Sequence, residues 1–324
     1  MRRHFCTYFD HNYIPRAIVM VESLHKHCPE AVVHVLCLTD ACYATLQKLN
    51  YSYLILYRLS ELEEADQEMA ATQNSRSLIE YYFTMTPCWP FYLLRYKNID
   101  EVTYLDADMM FFTSPEVLFA EAKDADTIIT PHRFSERLGH LEEFGIYNVS
   151  WLTFKNTPNG MRCLEWYREV CLEWCHDRVD GDRFADQKYL DAFPKLFDGV
   201  HVLAHEGAGL APWNIENSVV SGKSGIVFVG NKPLVFFHAQ AFKRIWGPFY
   251  SSGCMVYGSI LTTATKRLIF TPYVSAFKNA ESKVRAVSVY TPDINVRTVQ
   301  HKGFRQAYKL IKKEFKKSSL IIKF

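Results

Sequence analysis

Val102-Thr103-Tyr104-Leu105-Asp106-Ala107-Asp108-Met109-Met110-Phe111-Phe112 is the stretch that decides the fold. One apolar run enters it, another leaves it, and two carboxylates stand between them. The first run reads as a buried strand, so the carboxylates emerge where a parallel sheet opens. Residues i and i+2 of an extended chain point to the same side. Two neighbouring carboxylates repel unless a cation neutralises them. Oxygen ligands suit a hard divalent ion such as Mg2+ or Mn2+, which in turn suits a diphosphate. A surface turn also produces Asp-x-Asp, but apolar segments on both sides argue against an ordinary turn.

Upstream of this stretch, strands and helices alternate. Residues 4–9 read as a strand, Asp10 to Tyr13 as a turn, and Pro15 as a helix start, with helical spacing from Ala17 to His27. Val32–Leu38 reads as a strand, Thr39-Asp40 opens a helix to Leu49, and Tyr53–Leu59 is a third strand. Short connections between such units predict a mostly parallel α/β sheet. Ser75–Tyr96 reads as helical, broken by Pro87 and Pro90. Downstream, Ala125–Thr130 and Tyr147–Phe154 read as strands and Met161–His176 as a helix. Ile226–Val229, a Gly-Asn turn and Pro233–Phe237 read as a hairpin that delivers His238 to its end.

The chain has 324 residues, 48% of them hydrophobic, enough for one large domain with a small appendage. A net charge of +2 excludes a globally basic nucleic-acid binder, and no nucleic-acid partner is expected. The charge is unevenly placed. Residues 302–324 hold eight basic side chains against Glu314, a balance of +7, which leaves residues 1–301 at −5. Phe304, Tyr308, Ile311 and Phe315 recur at helical spacing among these lysines, so the segment reads as a basic amphipathic helix suited to an anionic membrane surface. Nine scattered Cys, no secretory leader pattern and no apolar stretch near 18 residues point to a cytoplasmic chain with free thiols, peripheral at the membrane face through its tail. Cys171, Cys175 and His176 lack a second pair at zinc spacing and read as packing. His201 and His205 flank a strand-like Val202-Leu203 and read as surface or loop residues.

Several motifs occur in a fixed order: Thr7-Tyr8-Phe9-Asp10-His11-Asn12-Tyr13, Asp106-Ala107-Asp108, Tyr147-Asn148, Asp186-Gln187 and His238. Together they resemble nucleotide-sugar glycosyltransferases of the GT-A fold, most of all glycosyltransferase family 8 and related bacterial proteins, over residues 4–245. The resemblance implies a GT-A domain over residues 1–250, followed by a helical basic extension over 251–324. It implies nucleotide binding by Thr7, Tyr8, Asp10, Asn12 and Tyr13, with Arg76 and Lys243 on donor phosphate or sugar. Asp106, Asp108 and His238 would hold Mn2+ or Mg2+, while Asn148, Asp186 and Gln187 line the sugar pocket. The implied donor is a nucleoside diphosphate sugar, UDP-linked by preference, transferred with retention to a glycan or lipid-linked acceptor. Two positions depart from the family: Val149-Ser150 follows Asn148, and Ala239-Gln240-Ala241-Phe242 separates His238 from Lys243 where a Gly is common.

Three rival readings remain. A haloacid-dehalogenase-type phosphatase would use Asp106 and Asp108 with Gly181-Asp182-Arg183-Phe184-Ala185-Asp186, but wants Thr or Val where Met110 stands. A sugar nucleotidyltransferase would need a Gly-rich loop, and Cys6 to Pro15 has no Gly. A non-catalytic nucleotide-sugar-binding relative would keep the fold without turnover; the intact Asp106, Asp108 and His238 speak against it.

Overall fold

β-Branched and aromatic runs set the central layer. The computed structural model describes residues 2–288, 304–316 and 320–322. Its main sheet contains β1 (Arg3–Phe9), β2 (Ala31–Cys37), β3 (Leu54–Arg58), β4 (Glu101–Leu105), β6 (Thr127–Pro131), β7 (Tyr147–Lys155) and β8 (Val200–Val202). The strand order is β3-β2-β1-β4-β7-β6-β8. β3, β2, β1 and β4 run parallel, β7 is antiparallel to both its neighbours, and β8 is parallel to β6. β1 lies where the strand order reverses, the place where open α/β sheets leave a crevice at their carboxyl ends.

Helices cover both faces. The helix Ile14–His27 begins with Pro15 and packs along the helix Thr271–Val287. Tyr273, Val274 and Phe277 of the latter share one apolar cluster with Phe5, Ile18 and Val33, so the segment after residue 250 is continuous with the core of the sheet. The other face packs Leu78–Tyr96 and Pro158–Glu173 through Trp89, Tyr81 and Tyr167.

Leu78–Tyr96 runs unbroken through Pro87 and Pro90, where the sequence predicts interruptions. Each proline removes one helical hydrogen bond. Tight burial against the sheet compensates, and the Cys88 thiol donates to the Thr84 carbonyl at 3.2 Å.

A second, three-stranded sheet decides the site. β5 (Met109–Phe111) and β9 (Ala208–Leu210) flank the strand Phe236–His238, which is antiparallel to β5 and parallel to β9. The expected hairpin forms only in part. Ile226–Val229 pairs with Lys232–Pro233 around a Gly230 in the left-handed region, but Phe236–His238 leaves that arm for the buried sheet. The buried run Leu234-Val235-Phe236-Phe237 suits a strand covered on both faces better than a hairpin edge.

The tail returns to the body. Leu320–Ile322 adds a third antiparallel strand to the hairpin Lys243–Trp246 and Phe249–Ser251. The expected helix is present as Phe304–Lys316, while Lys302, Lys317 and Lys323 lie outside the described residues. No described helix is long and apolar enough to cross a membrane. All nine cysteines are buried and free.

Candidate active site

β4 ends at Leu105 and β5 begins at Met109, so Asp106 and Asp108 sit in the corner between the two sheets. His238 pairs with Met109 across the second sheet, and this register brings its ring to the carboxylates. Nε2 of His238 lies 3.1 Å from Asp108 Oδ1 and 3.7 Å from Asp106 Oδ2. The three residues offer ligand atoms that all lie within 4.8 Å of one another. Two carboxylates and an imidazole form a donor set for Mn2+ or Mg2+.

The electrostatics fit a cation. Burial pushes the Asp106 carboxyl up to about 6, against the pull of His238. Burial also opposes ionisation of Asp108, but His238 and the hydrogen bond to it outweigh this and hold Asp108 below the usual carboxylate range. The same carboxylates raise His238 despite its burial. Protons therefore occupy a place that a divalent ion would take over. Among the described residues a second acid cluster, Cys28, Glu30 and Glu116, already holds a cation, because Arg3 clamps Glu116 through two nitrogens at 2.8 and 2.9 Å.

The turn after β1 faces this centre. The Tyr13 hydroxyl donates to Asp108 Oδ2 at 3.2 Å. Asp10 is used locally: its Oδ1 accepts the backbone N–H groups of Asn12 and Tyr13 at 2.9 and 3.2 Å and fixes the turn. Thr7 Oγ1 and Asn12 Oδ1 are buried without a partner. Tyr8 bonds Thr86 of the helix Leu78–Tyr96 at 2.8 Å, and Tyr104 donates to Asp106 Oδ1 at 3.0 Å.

Asp186 is buried with its Oδ2 unpartnered, and desolvation pushes it up to about 7. Gln187 opens a 3-10 helix beside Asn148, whose Nδ2 donates to Gln187 Oε1 at 3.2 Å. Asp106, Asp108, His238 and Tyr13 are thus tied together by direct contacts, Asn148 and Gln187 form a second bonded pair, and the field of Asp106 reaches Asp186.

Arg76 is not among them. Its guanidinium donates to the Cys171 and Leu172 carbonyls and caps the helix Pro158–Glu173, whose last carbonyls lack helical partners. Lys243 starts an edge hairpin and makes no ion pair among the described residues. In the rival phosphatase pattern, Asp186 is buried within the field of Asp106, but Asp182 is exposed on a loop and does not join Asp106 and Asp108.

Sequence reasoning missed other members. Arg16, nearly buried, donates to the Phe242 carbonyl at 3.0 Å, lies 4.8 Å over the Tyr13 ring and favours ionised Asp108. Trp213 stands edge-on to His238 at 5.3 Å and to Tyr257 at 5.8 Å. Tyr257 donates to Gln240 Oε1 at 2.7 Å. His132 bonds Asn148. The signal available for His132 was its place at a strand end after Pro131; nothing in the spacing marks Tyr257.

Comparison with known proteins places this geometry. Residues 4–128 match the family model described as glycosyl transferase family 8. The uncharacterized Bacillus subtilis protein YfnD is 31% identical over 279 residues, covering 85% of this chain and 88% of its own. The chain belongs to the family 8 glycosyltransferases. A second uncharacterized B. subtilis protein, YfnF, is 29% identical over 254 residues, covering 76% of the transferase described here and 83% of its own length. Among solved structures, the galactosyltransferase LgtC, in complex with donor and acceptor sugar analogs, superposes with a TM-score of 0.54. At 15% identity over 89% of this chain and 97% of that one, this establishes a shared GT-A fold. As a glycosyltransferase the protein takes a nucleotide-sugar donor and a glycan acceptor.

Proposed function

We propose that the transferase moves a sugar from a UDP-sugar, with retention of anomeric configuration, to a glycan or lipid-linked acceptor, and that it requires Mn2+ or Mg2+. The observation that carries the reading is the convergence of Asp106, Asp108 and His238 beside the turn after β1. A divalent ion held there would offset the negative charge that builds on the leaving diphosphate. Thr7, Tyr8, Asp10, Asn12 and Tyr13 form the nucleotide side, supported by the unpartnered Thr7 and Asn12 oxygens. Lys243 adds positive charge near the diphosphate. Asn148, Asp186 and Gln187 would line the sugar pocket, with the Gln187 amide on the sugar's side of the site.

The tail supports a peripheral place at the cytoplasmic membrane face. Tyr308 and Phe315 are 56% and 69% exposed, with Lys309, Lys312 and Lys313 exposed beside them. Glu314 points inward and accepts the Ser251 hydroxyl at 2.7 Å, so the outward side of this helix is left to cations and aromatics.

Calorimetric titration of UDP, GDP and CDP, each with Mn2+ and with EDTA, tests the donor reading. UDP is expected to bind, and only with the metal. Preference for another base would replace UDP, and binding of none would reject a nucleoside diphosphate donor. Retention is read separately, from the anomeric configuration of the first product by NMR.

A further inference from the structure

The amide of Asn148 is oriented by the backbone, because Ser150 N–H donates to its Oδ1 at 3.0 Å. Its nitrogen therefore faces two neighbours, His132 Nε2 at 3.1 Å and Gln187 Oε1 at 3.2 Å. An amide nitrogen only donates, so His132 Nε2 must present a lone pair. The imidazole is neutral, with its proton on Nδ1. Burial, aided by the positive field of His238, pushes His132 down to about 3, so the lone pair persists across ordinary pH. Packing fixes the ring: Phe134 stacks on it at 4.5 Å and Trp213 meets it edge-on at 5.2 Å.

Gln187 is held at its other end by Nε2 donating to the Phe144 carbonyl at 3.0 Å. Turning this amide over would set its NH2 against the NH2 of Asn148 and its oxygen against the Phe144 oxygen. Both contacts would become repulsive. The orientation of Gln187 thus depends on Asn148, and that of Asn148 on two acceptors and one donor.

We infer that His132 is a positioning residue for Gln187. It acts through Asn148, whose second amide proton it takes, and so keeps the Gln187 oxygen turned into the sugar pocket. The inference rests on the proposed role of Gln187 in that pocket. His132 touches neither reacting atom and is not a catalytic residue.

The test reads the amide itself. In protein labelled with 15N-glutamine, the Gln187 side-chain NH2 resonance, assigned by its loss in Gln187→Glu, is expected to exchange slowly. His132→Phe keeps the flat ring and removes the acceptor; exchange at Gln187 should rise about fivefold to tenfold, the equivalent of one hydrogen bond. His132→Gln sets an oxygen near the place of Nε2 and should restore protection to within about twofold of the parent. Unchanged protection in His132→Phe, or equal loss in both variants, would overturn the inference. Should His132→Phe fail to fold, Asn148→Asp, which keeps the size and removes the donated protons, must show the same loss. The role of Gln187 is judged apart from this, by hydrolysis of UDP-glucose and UDP-galactose in Gln187→Ala. Unchanged turnover there removes Gln187 from the chemistry, whereas the exchange data decide the relay alone.

Discussion

Asp186 carries a cost that should be visible in stability. Its ordinary value lies near 3.8 and burial raises it to about 7 in the folded protein. A carboxyl raised on folding contributes stability that is present below its unfolded value and is lost as pH rises through the folded one. Metal-free protein should therefore weaken between about pH 4 and 7 more steeply than Asp186→Asn, which cannot ionise. At pH 8 the variant should be more stable by on the order of 2 kcal/mol, a difference that shrinks toward pH 5. Denaturant melts at both pH values check this, and a pH-independent difference would contradict it. Asp108→Ala should weaken Mn2+-dependent UDP binding by at least about tenfold while leaving the EDTA titration unchanged. Strain gathers at the same place: Arg133, Ala185 and Ala241 adopt positive φ of 52°, 45° and 62°, and each lies within three residues of His132, Asp186 or His238. Ala241 stands in the loop where the sequence departs from the family's Gly. Ala241→Gly should raise stability by about 0.5–1 kcal/mol in a urea melt.

At the level of elements, the second sheet governs whether the centre exists. Gly207 precedes β9, and its carbonyl accepts from Val235 and Phe236 at the start of the strand that carries His238. A methyl group added at Gly207 would overlap the Pro233 carbonyl oxygen. Gly207→Ala should cost about 1–3 kcal/mol of stability. It should also weaken Mn2+ affinity, measured by titration, although residue 207 is no ligand; unaltered affinity would show that the strand's seat is independent of this contact. Here the limits of sequence reading become physical. The β1 and β4 strands and the helix Ile14–His27 were legible because local apolar periodicity and turn residues agree. The helix through Pro87 and Pro90 was not, because burial overrode a local rule. The departure of Phe236–His238 from its hairpin was not, because strand pairing is a non-local choice. Likewise Asp106, Asp108 and His238 are marked by residue type and order, whereas Arg16, His132 and Tyr257 gain meaning only from partners distant in sequence.

For the molecule as a whole, the tail is both part of the body and a charged surface. Glu314 and the strand Leu320–Ile322 anchor it, so truncation would disturb the hairpin that follows His238. A gentler variant joins Lys309→Gln, Lys312→Gln and Lys313→Gln with Phe315→Ser. It should lose most sedimentation with vesicles containing phosphatidylglycerol at 0.1 M salt while its UDP titration stays the same. Equal sedimentation would remove the membrane role. The pairing of His238 with Met109 bears on how the molecule is made. Asp106 and Asp108 leave the ribosome long before His238 does. A nascent chain halted between them has two of the three side chains of the proposed metal site and no strand to seat the last. On the proposed metal reading, tight capture of a divalent ion would report that synthesis has passed His238 and that the two sheets have joined, so unfinished chains would not compete with the finished protein for that ion.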